Sequence, residues 1–73
     1  MNSDDSAQFF RELEEKLASA AKLLDEAARL IATHAFDPGR NIRTIGEALS
    51  GISDIRLAIY RREPSLKPEF LKD

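Results

Sequence analysis

"IRTIGEALSGISDIRLAIYRR", residues 42–62, decides the fold, because it supports two incompatible structures. A break at Gly51 makes a helix-turn-helix whose second helix, Ile55 to Arg62, would enter a DNA groove. Without a break the segment is one amphipathic helix that must pack against something. On a wheel of 100° per residue, the two halves agree without any break. Arg43, Thr44, Glu47 and Ser50 share an arc of about 120° with Gly51, Asp54, Ala58, Arg61 and Arg62, and the isoleucines and leucines fill the rest. Gly46 and Gly51 each cost about 1 kcal/mol against alanine inside a helix, which is too little to reverse the pattern.

The helix-turn-helix alternative would use residues 45–62, with Ile45, Leu49, Gly51, Ile52, Ser53 and Leu57 in the motif's apolar and turn positions. It needs one extra residue, Ser50, before the turn, and it lacks a short third helix to brace it. Only Arg56, Arg61 and Arg62, set against Asp54, would face phosphates and base edges. Nucleic acid is therefore not the expected partner.

Working outward, Asp37-Pro38-Gly39 and Glu63-Pro64 are the punctuation marks on either side. Before the first mark, Phe10, Leu13, Leu17, Ala20, Leu24, Ala27 and Ile31 recur at coiled-coil spacings of three and four. Asp4, Asp5 and Ser6 are cap candidates, and acids suit the positive end of a helix dipole. The expectation is an all-α antiparallel helical hairpin, with helices over about 5–35 and 42–62, Asn41 as the second N-cap, and residues 1–73 forming one domain. Pairing about that turn sets Ile31 near Ile45, Ala27 near Leu49, Leu24 near Ile52 and Leu17 near Ile59. Phe10 and Leu13 are left beyond the end of the second helix. The tail 64–73 carries Leu66, Phe70 and Leu71 to cover them or to bind a partner, and Pro68 would start a short turn. Gly46, Ser50 and Gly51 would let the axes approach Ala18, Ala20, Ala21, Ala27 and Ala28.

Both apolar arcs are wider than one neighbour can cover. That of the second helix spans about 200°, and Phe9, Leu23 and Leu30 broaden that of the first. The surplus predicts a second copy, giving a homodimeric four-helix bundle, or else an unidentified protein partner. The surface expected to carry that contact is Phe9, Phe10, Leu13, Leu17, Leu24, Ile31, Leu49, Ile52, Arg56, Ile59, Tyr60 and Phe70. Function by protein contact, as an adaptor, regulator or chaperone-like subunit, follows from this.

Charge and composition exclude more than they specify. Seventy-three residues make a marginal core, and with no cysteine and one histidine neither a disulfide nor a structural zinc can brace it. Residues 1–37 carry eight acids and four bases, residues 38–73 five acids and seven bases, so the halves attract. MNSDDSAQFF has no basic, apolar leader pattern, and no run approaches a membrane span, so a cytoplasmic location is expected. No motif predicts a catalytic residue, a metal site or a cofactor. His34 fits helix-end packing, and Glu14-Glu15 and Asp25-Glu26 read as solvated faces. Arg56, inside the apolar arc, either snorkels at an edge or pairs with an acid of the first helix, Asp25 being one candidate.

Overall fold

The computed structural model describes residues 3–68, which form two helices and one short 3₁₀ turn, with no strand among them. Helix α1 spans Ser3–Thr33 and α2 spans Pro38–Arg62, antiparallel neighbours in a helical hairpin; a 3₁₀ turn, Pro64–Leu66, follows. Helix α2 runs unbroken through Gly46 and Gly51. The turn that a helix-turn-helix over 45–62 requires does not form, because the continuous apolar stripe outweighs the two glycines' preference for other conformations.

The connection is shorter and lies earlier than the sequence suggested. Helix α1 stops in a Schellman arrangement: the Phe36 amide donates to the Ile31 carbonyl at 3.1 Å and the Ala35 amide to the Ala32 carbonyl at 3.3 Å. Ala35 takes the left-handed conformation this closure needs, with φ 52°, at a position where glycine is usual. Asp37 is left-handed too, at φ 39° and ψ 56°, and precedes Pro38 at the start of α2. Proline is well placed there, since its missing N–H would be unpaired in a first turn anyway. Pro38-Gly39 thus opens α2 instead of interrupting the chain. Asn41 is not the N-cap; its Nδ2 donates to the Phe36 carbonyl at 2.9 Å, tying the first turn of α2 to the loop.

Moving the turn moves the register. Leu17 opposite Ile59 would have set Glu14 opposite Arg62, whereas Glu14 bonds Arg56 and Tyr60, about one helical turn nearer the loop. Phe10 and Leu13 are consequently not left beyond α2: they line one groove with Ile55, Ala58, Ile59 and Arg62. The glycines are not points of close helix approach either, since a Cβ built on Gly46 or Gly51 meets nothing within 4 Å. At the far end Glu63 leaves the helix at φ −138°, as a residue before proline must, while its amide still donates to the Ile59 carbonyl at 2.8 Å. Leu66 is half-buried in the turn that follows; Pro68 is the last described residue, so the short turn expected to start there, with Phe70 and Leu71, lies outside the described residues.

Two layers of side chains are all that a hairpin possesses. Ile59 and Tyr60 are the only buried residues among those described. The chain measures 49 × 26 × 16 Å with a radius of gyration of 15.1 Å, against about 11 Å for a compact domain of its length. It exposes 5707 Å² for 8.2 kDa, where a compact monomer of that mass exposes about 4,500 Å².

Candidate functional site

Glu14 is the polar centre of the molecule. Its Oε1 accepts from Arg56 Nε at 2.9 Å and from the Tyr60 hydroxyl at 2.8 Å, and Arg56 Nη2 lies 2.7 Å away. The Glu14 side chain is 14% exposed and that of Arg56 26%, so water screens this pair far less than a surface pair. The acid expected on a solvated face is thus the partner of Arg56. Asp25 pairs instead with Arg29 on its own helix, at 3.0 Å and well exposed. Glu14 lies four residues after Phe10 and three before Leu17, squarely on the stripe facing α2, and that spacing was the signal for it.

The electrostatics follow from the geometry. The hydrogen bond to Glu14 holds the Arg56 guanidinium above its ordinary value, with burial opposing. Burial, helped by donation to Glu14, raises the Tyr60 hydroxyl above the usual tyrosine value, while the Arg56 charge opposes the shift. Both donors therefore stay protonated around a carboxylate. Glu14 Oε2 is buried and accepts no bond from the described residues. A carboxylate that takes one arginine and one tyrosine from the same face of α2 fixes both the axial register and the rotation of the helices. Apolar contacts alone would tolerate sliding by a turn.

Most of the residues expected to meet a partner lie in this seam. Ile59 and Tyr60 are buried within the single chain, and Phe10, Leu17, Leu24, Ile31, Leu49, Ile52 and Arg56 are half-buried. Phe9 is 55% exposed, its ring stacked at a tilt on that of Phe10, 5.2 Å between centroids. Phe70 lies outside the described residues. His34 is exposed at the end of α1.

A second feature lies on one side of the hairpin. The groove that joins Phe9 and Leu13 to Ile55 and Ala58 puts those flanks of α1 and α2 on the same face. Seven residues is nearly two turns, so the α1 flank continues through Lys16, Leu23 and Leu30, and the α2 flank runs back from Ile55 and Ala58 to Ala48 and Gly51. Leu23 is 64% exposed. The other side carries Arg11, the Asp25–Arg29 pair and Arg61, all exposed.

Comparison with protein-family models, characterised proteins and solved structures finds no match to this chain. Among the described residues no group of three or more His, Cys, Asp or Glu could hold a metal ion. No helix among them is long and apolar enough to cross a membrane.

Proposed function

We propose that the protein works by binding: the hairpin is half of an antiparallel four-helix bundle, completed by a second copy, and acts as a non-enzymatic adaptor, regulator or chaperone-like subunit. One observation carries this. The described chain buries two residues, yet Phe9, Leu23, Leu30 and Ile55 are 48–64% exposed, and the groove that joins Phe9 to Ile55, extended by seven-residue steps along α1, puts them on one face. Apolar patches of that extent on a small protein are sites of association. The excess of exposed surface over a compact monomer, about 1,200 Å², also exceeds the roughly 800 Å² that each partner gives to a standard interface.

Light scattering on the purified protein tests it. The expected mass is twice 8.2 kDa, and Leu23→Glu, which places a charge on that face without touching Glu14 or Tyr60, returns it to the single-chain value with helicity retained. A wild-type protein that stays at the single-chain mass at every accessible concentration contradicts the proposal.

A further inference from the structure

We propose that the two hairpins are related by a two-fold axis parallel to the helices, so that α1 of each copy lies over α2 of the other and both loops emerge at the same end of the bundle. This rests on the dimer proposed above. Two face-to-face arrangements are compatible with two-fold symmetry. In one, the axis runs along the helices and stacks α1 on the partner's α2. In the other, the axis is perpendicular to them, stacks α1 on α1 and α2 on α2, and sends the loops to opposite ends. Both put antiparallel neighbours in contact. Charge and side-chain volume tell them apart.

An axis along the helices leaves every residue at its own height, so symmetry itself fixes the register. In this hairpin, residues whose numbers add to roughly 72 share a height, as the bonds from Arg56 and Tyr60 to Glu14 set it. Leu23 then meets the partner's Ala48, Ala20 meets the partner's Gly51, and Leu13 meets the partner's Ala58. In two of these pairs a large side chain faces a small one and in the third both are small, so the surfaces interdigitate. Gly51 has open space where a side chain would be, which leaves room for an approaching helix.

The rim carries an alternating code. Along α1 the exposed charges at the outer edge of this face run Glu12, Lys16, Glu26. Near the heights of the first two, α2 presents Arg62 and Asp54, both exposed. Stacking α1 on the partner's α2 therefore opposes Glu12 to the partner's Arg62 and Lys16 to the partner's Asp54. Stacking α1 on α1 gives the reverse. The register that overlays the Phe9 to Leu30 stripe on its copy is centred between Ser19 and Ala20, and it sets Glu12 near Glu26, like charge on like. Helix α1 is −3 as a whole and α2 is +3, counted over their full spans. Rim pairs add little affinity singly, but like-charge juxtaposition is an effective discriminator between arrangements.

The native chain has no cysteine, so a single spin label at Gly39→Cys, where a side chain meets nothing within 4 Å, reports the loop-to-loop distance by dipolar spectroscopy. The expected separation is less than half of the 49 Å long dimension of the hairpin. A separation close to that full dimension overturns this arrangement while leaving the dimer standing, and an absence of dipolar coupling overturns the dimer beneath it. A charge swap is the independent check. Lys16→Glu lowers dimer affinity at low salt, and adding Asp54→Lys to the same chain restores it; failure of the second change to rescue the first contradicts the pairing.

Discussion

At the end of the hairpin away from the loop, Glu14, Arg56, Ile59 and Tyr60 close round one another, and the two buried residues among those described lie there. At the loop end, Leu30, Phe36 and Ile42 are 38–67% exposed, and two non-glycine residues sit at positive φ within three positions. The same two helices are thus locked at one end and loosely held at the other. Specificity resides where a polar group is buried with its partners. The loop end depends on local backbone geometry, and in the proposed dimer on the second copy.

The largest expected effect comes from removing the lock. Glu14→Ala leaves the Arg56 guanidinium half-buried without its acid, and the cost is about 2–3 kcal/mol, below the 3–5 of a fully buried pair because Arg56 keeps some water. Urea unfolding measures it. Replacing both partners, Glu14→Leu with Arg56→Met, should recover most of that loss, since apolar groups of similar size need no partner. If the double variant is as unstable as the single, Glu14 acts through something other than its pairing.

Tyr60→Phe keeps the ring and deletes one donor to Glu14, for about 1–2 kcal/mol. The pH dependence has a defined sign. A hydroxyl whose folded value lies above the ordinary tyrosine value contributes stability that is complete below about pH 10 and is lost as pH rises through the folded value. Ultraviolet titration of the wild type should place the Tyr60 midpoint above that of free tyrosine, with the unfolding midpoint falling over the same interval.

Smaller changes sharpen the contrast at the other end. Gly46→Ala has open space for its methyl and should stabilise by roughly 0.8–1 kcal/mol. Ala35→Gly relieves a left-handed alanine and should stabilise by about 0.5–1 kcal/mol, visible as slower amide exchange around Phe36 and Asn41. Least of all, Asp25→Asn at the exposed pair with Arg29 should change stability by less than about 0.5 kcal/mol.

These differences also mark what could be seen in the sequence. The helical hairpin and the unbroken second helix were legible, because apolar periodicity over 20 residues and more outweighs single glycines. The start of α2 was not: a proline reads as a break or as a first-turn residue, and only the backbone before it decides. Nor does Ala35 announce a helix end, since alanine is the best helix former and seldom adopts positive φ. That one misplaced turn displaced the whole register, and with it the expected fate of Phe10 and Leu13. Glu14 was overlooked because it precedes Glu15, and two adjacent acids look like a solvated face although they point about 100° apart. Its spacing to Phe10 and Leu17 was the available clue. In the proposed dimer the contact falls on the flanking row through Phe9, Leu23 and Leu30, which is exposed, whereas the seam of strongest periodicity is half-buried or buried within the hairpin.

Thermal unfolding followed by circular dichroism over a roughly hundredfold range of protein concentration tests most directly whether the hairpin needs a second copy. A fold completed by association gains stability by mass action, so the midpoint should climb steadily with concentration. A midpoint independent of concentration, with a single cooperative transition, would mean that one chain is sufficient.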